Sequence, residues 1–170
     1  QNSQYPLIIR AGEARNSEKA PAAEKLQLRE LMSQSDMTFF GNRVLFIGAH
    51  PDDIELGAGA LIAHIVGKTE ILCVTLSDNK KNPDLTELAD EHHRSMKVLG
   101  VPEKNVIVGQ FETRRFPHAR QEILEYLIQL NRTFHPDIVF THTKADIHQD
   151  HGTVTEETLR AFRGTTVLGF

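Results

Sequence analysis

From residue 43 onward, short runs of aliphatic and β-branched residues alternate with longer amphipathic stretches. Glycine and proline mark the changeovers, and the residues richest in chemistry gather behind two of the apolar runs. These observations predict an α/β fold, a Rossmann-like three-layer sandwich around a mainly parallel sheet, because parallel strands need crossover connections of a dozen or more residues.

The elements follow in order. Ala11 to Ala20 is small, polar and charged, with no strand period, and reads as an extension. Leu26, Leu28, Leu31 and Met32 place an imperfect apolar stripe on a short helix from Pro21 to Ser33. After Gly41-Asn42 come a strand Arg43 to Gly48, a helix from about Glu55 to Val66, a strand Glu70 to Leu76 and a helix from about Thr86 to Leu99. A strand Val106 to Val108, a helix from about Pro117 to Asn131 and a strand Asp137 to Thr141 continue the alternation. Gly67 and Gly100-Val101-Pro102 close two of the helices, and Pro117 suits the start of the third. Thr153 to Arg163 reads as a further helix. Thr165 to Phe170 reads as a strand that stops abruptly, so the chain is expected to be C-terminally incomplete. The domain organisation is therefore an extension with a short helix, 1–40, and an α/β domain, 41–170.

With 170 residues, 39% of them hydrophobic and 25% charged, the chain has room for one sizeable core. A formal net charge of −4 gives no electrostatic reason to expect nucleic acid as partner. No apolar stretch approaches the roughly 20 residues of a membrane-spanning helix. Gln1 at the start leaves processing and export open beside a cytoplasmic location, which is favoured. The single cysteine, Cys73, lies inside an apolar run and is expected as a buried strand thiol.

The first chemical cluster, His50-Pro51-Asp52-Asp53, stands directly behind the run Val44 to Ala49. In parallel α/β folds ligands bind beyond the carboxyl ends of strands, which is where these residues fall. Pro51 stiffens the turn, so the adjacent carboxylates can point differently, one toward a metal and one toward a reacting water. Imidazole with carboxylate suits zinc, whose catalytic sites need three protein ligands and one open position. The plainer alternative makes Asp52 and Asp53 caps of the next helix and His50 a polar loop residue. Gly57-Ala58-Gly59 lies too late for a dinucleotide fingerprint, and the acids in the turn would repel a pyrophosphate.

The second cluster follows Ile138 to Phe140: His142, then His148-Gln149-Asp150-His151. His148 and His151 flank Asp150 at a spacing that permits metal binding by one and acid-base work by the other, and His151 is the expected third ligand. A surface histidine run is the competing explanation. His64, His92, His93, His118 and His135 have no such company and are expected to be structural or exposed. Arg114 and Arg115 follow the third strand and are candidates for holding an anionic or hydroxyl-rich substrate, with solvated surface charge as the alternative. Ser77-Asp78-Asn79 occupies another loop at the same edge.

Ala49-His50-Pro51-Asp52-Asp53 with Glu55 and Gly57, followed by His148-Gln149-Asp150-His151, resembles the motif pair of the LmbE-like, or PIG-L, family of zinc-dependent deacetylases. The resemblance covers Arg43 to Phe170. It implies a Rossmann-like fold, a Zn2+ cofactor and removal of the acetyl group from N-acetylglucosamine-type amino sugars, such as phosphatidylinositol-, inositol- or malate-linked glucosamine. By position it makes His50, Asp53 and His151 the zinc ligands, Asp52 the general base and His148 a protonated stabiliser of the oxyanion. Asp150 would orient or charge-stabilise its histidine neighbours. The first forty residues have no counterpart in the family motifs, and the chain ends before the section that usually completes the substrate cleft. Competing functions are a zinc amidase on another small amide, a Rossmann-type nucleotide-binding module and a metal-binding domain without catalysis.

Overall fold

The computed structural model of the protein is described for Leu26 and residues 39–170. Apart from Leu26, the expected N-terminal helix lies outside the described residues. In chain order the elements are β1 (Arg43–Gly48), α1 (Asp53–Ile65), β2 (Glu70–Thr75), α2 (Leu88–Val98), β3 (Val106–Val108), α3 (Arg120–Phe134), β4 (Ile138–Thr141), α4 (Gln149–Ala161) and β5 (Thr166–Gly169). The strands form one sheet in the order β3-β2-β1-β4-β5, and every neighbouring pair is parallel.

Side chains alternate across a strand, so each strand feeds two cores. Leu45 and Ile47 join Val74, Leu76 and Val139 beneath Ile123, Leu124 and Leu127 of α3 and Val154 of α4. Val44 and Phe46 join Ile71, Cys73 and Ile138 on the opposite face, beneath Ile54, Ala58 and Ile62 of α1 and Met96 of α2. β1 is central and covered on both faces, which explains its unbroken apolar sequence. Burial pushes the Cys73 thiol up to about 12, so it is an inert core residue, as its sequence context suggests.

The strand order positions the site. From β1 the chain winds outward through β2 and β3, then returns to place β4 on the other side of β1, with Val44 opposite Ile138 and Phe46 opposite Phe140. The carboxyl ends of β1 and β4 therefore flank the topological switch point, where open α/β sheets leave a crevice. Both chemical clusters emerge there.

Several boundaries differ from expectation. α1 begins at Asp53, two residues early. Pro117 lies in a short 3-10 turn, Phe116–His118, and α3 starts after it at Arg120. α4 begins at Gln149, ahead of Thr153, which puts Asp150 and His151 in its first turn instead of a loop. The start of this helix is polar and so carries no apolar period. It is held by His148, which occupies the N-cap and accepts the Asp150 N–H at Nδ1, 3.2 Å away. Further along α4, buried Glu157 binds Arg120 and Arg160, each at 2.6 Å, tying α4 to the start of α3.

Candidate active site and metal centre

The turn after β1 is organised by the Asp53 carboxylate. Its Oδ2 accepts the backbone N–H of Ala49 at 3.0 Å and of His50 at 2.7 Å. Burial works to raise the Asp53 pKa, but the hydrogen bond and charge of His142 and the His50 N–H outweigh it, and the group is held below the ordinary aspartate range. Asp52 is the N-cap residue of α1, yet its side chain makes no capping bond. The helix-capping alternative therefore fails for Asp52, whose carboxylate makes no hydrogen bond to the described residues. Its backbone sits at φ 99°, a conformation that costs a non-glycine residue on the order of 1–3 kcal/mol. Although Asp52 is exposed, its pKa is raised, first by the protein atoms that displace water around the carboxyl, then by Asp53 and Glu55.

His50 and His151 are each oriented by a carboxylate of their own. His50 Nε2 donates to Asp150 Oδ2 at 3.0 Å, and His151 Nδ1 donates to Asp146 Oδ2 at 2.8 Å. These bonds leave His50 Nδ1 and His151 Nε2 as the free nitrogens, and the two stand 3.2 Å apart. Burial lowers the His50 pKa more than Asp150 and Asp53 raise it, which favours the neutral imidazole that a metal requires. Asp150 is fully buried. Besides His50 it takes the backbone N–H of Arg114 at 2.5 Å and of Phe116 at 3.3 Å, so three donors offset the burial of its charge.

The cluster is compatible with one zinc ion. Ligand atoms about 2.0–2.1 Å from a tetrahedral zinc stand roughly 3.3–3.4 Å from one another. His50 Nδ1 and His151 Nε2 stand 3.2 Å apart, and the Asp53 carboxylate reaches each with a different oxygen, Oδ1 3.4 Å from His151 Nε2 and Oδ2 3.6 Å from His50 Nδ1. Two wider sets overlap here: donor atoms of His50, His148 and His151 lie within 4.8 Å of one another, as do those of Asp53, His142 and His151.

All six predicted site residues converge on the β1–β4 crevice, from the turn after β1 and from the start of α4. Two neighbours escaped the sequence reading. Asp146, partner of His151, is separated from it by an irregular loop, and only its place five residues upstream hints at the pairing. His142 was noticed as one of a run but given no task; it is buried and lies 3.3 Å from Asp53 Oδ2. Arg114 enters chiefly through its backbone: at φ 66° its N–H reaches Asp150 and its carbonyl accepts Gln149 Nε2 at 2.6 Å. Its exposed side chain lines a cleft of about 630 Å3 at the ends of β2 and β3. Ser77 and Asn79 are buried at the cleft wall and bonded to Thr113, so they knit two loops together. His92, expected to be structural, is buried between Glu55 Oε1 at 2.8 Å and Thr75 Oγ1 at 3.2 Å.

A wholly parallel sheet with a histidine and carboxylate cluster at its switch point defines a class: Rossmann-like proteins whose crevice carries side chains that could hold a metal ion. Comparison with known proteins narrows this. The profile of the PIG-L family, described as GlcNAc-PI de-N-acetylase, matches residues 45–162. The uncharacterized deacetylase YaiS of Escherichia coli (strain K12) is 32% identical over 134 residues, which make up 75% of this chain and 72% of YaiS. The chain belongs to the PIG-L family. N,N'-diacetylchitobiose deacetylase from Pyrococcus horikoshii shares the fold with a TM-score of 0.61 at 22% identity, over 92% of this chain and 60% of that one. The zinc inhibited form of teicoplanin deacetylase Orf2 does so with a TM-score of 0.63 at 16% identity, over 74% of this chain and 66% of the other. The chain thus spans only about three fifths to two thirds of the length of these solved structures.

Proposed function

We propose that the protein is a zinc-dependent N-deacetylase that hydrolyses the acetamide of an N-acetylglucosamine-type amino sugar or its conjugate. The observation that carries this reading is the pairing of His50 with Asp150 and of His151 with Asp146. It turns two free imidazole nitrogens toward each other beside Asp53, while the carboxylate of the neighbouring Asp52 makes no hydrogen bond to the described residues.

His50, Asp53 and His151 are the ligands in this account, and Asp150 and Asp146 fix the rings of the two histidines. Bound there, zinc supplies a Lewis acid that polarises the acyl carbonyl and brings the pKa of water toward neutrality. Asp52 accepts a proton from the water that attacks the carbonyl carbon, and its raised pKa moves it toward the range where a base also serves as an acid. His148, whose Nδ1 accepts the Asp150 N–H, has its other ring nitrogen, Nε2, available to donate to the developing oxyanion. As the carbon–nitrogen bond breaks, Asp52 returns its proton to the leaving amine and acetate departs. The family relationship supports acetyl as the acyl group and a glucosamine-type amine as the product.

The test is acetate release from N-acetylglucosamine and its conjugates, with and without a chelator. Release that the chelator abolishes and zinc restores is expected. No release by the zinc-loaded protein across those substrates would overturn the proposal, and release only from non-sugar acetamides would overturn its substrate.

A further inference from the structure

We infer that His142 is a positioning residue that fixes two ligands at once, Asp53 and His151; this rests on the metal centre proposed above. His142 directly follows β4, is 4% exposed, and among the described residues is the one histidine of the crevice outside the paired motifs. Its Nε2 lies 3.3 Å from Asp53 Oδ2 and 3.0 Å from the Ala49 nitrogen. The Ala49 N–H also has Asp53 Oδ2 within 3.0 Å. The Ala49 N–H has two acceptors in reach, His142 Nε2 and Asp53 Oδ2; when it donates to Asp53 Oδ2, His142 Nε2–H is free to donate to the same oxygen. With His50 N–H on the same atom, Oδ2 is saturated by the protein, and Oδ1 is the oxygen left facing His151 Nε2 at 3.4 Å.

The second contact is a stack. The rings of His142 and His151 lie 3.8 Å apart at 7°, so His142 supplies a flat wall against which His151 cannot rotate. His142 is itself held from two sides. Phe170 meets its ring at 5.3 Å and is fixed in turn by its N–H to Thr141 O at 2.9 Å. Thr155, one turn beyond His151 on α4, donates to the His142 carbonyl at 3.0 Å. His142 therefore couples the turn after β1 to α4, the two elements whose separation sets the distance between the ligands.

Co2+ titration with chelator competition, read by visible absorbance, tests the assignment in His142→Phe and His142→Gln. Phenylalanine keeps a stacking ring without the donor; glutamine carries an amide donor near the position of Nε2 without the ring. His142→Phe is expected to weaken Co2+ binding by about 10–100-fold, the range typical of lost outer-shell partners, and to alter the visible spectrum. His142→Gln, which keeps the donor to Asp53 but loses the stack on His151, is expected to recover part of the affinity lost in His142→Phe. Wild-type affinity and spectrum in His142→Phe would overturn the inference, as would a glutamine variant no better than phenylalanine. Circular dichroism of the metal-free variants verifies folding, and His142→Leu replaces phenylalanine if that ring is not accommodated. Failure of the wild-type protein to bind Co2+ would instead remove the metal centre on which the inference rests.

Discussion

Asp150→Asn changes one atom and should be felt in both metal affinity and folding. In the wild type, Oδ2 takes His50 Nε2–H and Arg114 N–H, and Oδ1 takes Phe116 N–H. An asparagine that turns its oxygen toward His50 and Arg114 must aim its amide hydrogens at the Phe116 N–H. That leaves a buried donor unsatisfied, at a cost of about 1–3 kcal/mol, and removes charge assistance from the other two bonds. At about 2–4 °C per kcal/mol, the metal-free protein should melt roughly 2–12 °C lower. Because His50 would no longer be held by an anion, zinc affinity should fall about 10–100-fold, or roughly 1.4–2.8 kcal/mol at 1.4 per factor of ten. Chelator competition and thermal unfolding by circular dichroism read the two effects. Unchanged zinc affinity in a folded Asp150→Asn would refute the idea that Asp150 orients a ligand.

Asp52→Asn removes a base without removing a hydrogen bond, so it should retain zinc and the wild-type melting temperature while losing on the order of 100- to 10,000-fold in kcat; near-normal turnover would exclude Asp52 as the base. Gly109→Ala would bring a Cβ within 2.6 Å of the Leu76 carbonyl oxygen and should destabilise by about 1–3 kcal/mol, measured by denaturant unfolding. Glu55 is held below its ordinary 4.5: burial opposes this, but His92 and Ser95 outweigh it. A depressed carboxylate stabilises the fold fully above its unfolded pKa, and that contribution is lost as pH falls through the folded value. The melting-temperature gap between wild type and Glu55→Gln should therefore be full above about pH 4.5 and shrink below it, and a constant gap would count against the Glu55–His92 pair.

The architecture was legible because burial leaves a period in the sequence. β1 through β4 read directly from apolar runs, and Gly67 and Gly100 mark helix ends where φ is positive, at 79° and 86°. The start of α4 did not read, because Gln149, Asp150 and His151 are polar and the helix is begun by a histidine cap. For the same reason Asp150 did not announce itself as fully buried: its solvation is replaced by two backbone N–H groups and a histidine from two other stretches of chain. His50 and Asp53 were legible because they crowd into one turn. His142 and Asp146 were not, since their tasks depend on the closeness of β1 to β4 and on the path of an irregular loop. Arg114 shows the limit most plainly. Its side chain drew notice by charge, while the structure employs its backbone, in a conformation that nothing in the residue type signals.

The central claim is that one zinc ion sits between β1 and β4 with His50, Asp53 and His151 as its protein ligands. A crystal structure of the zinc-loaded protein, with anomalous diffraction recorded at the zinc edge, tests it most directly. The account predicts a single anomalous peak about 2.0–2.1 Å from His50 Nδ1 and His151 Nε2 and bonded to an Asp53 oxygen, with His148 outside bonding distance. A peak ligated by His148 in place of Asp53, or no peak in the crevice, would contradict it.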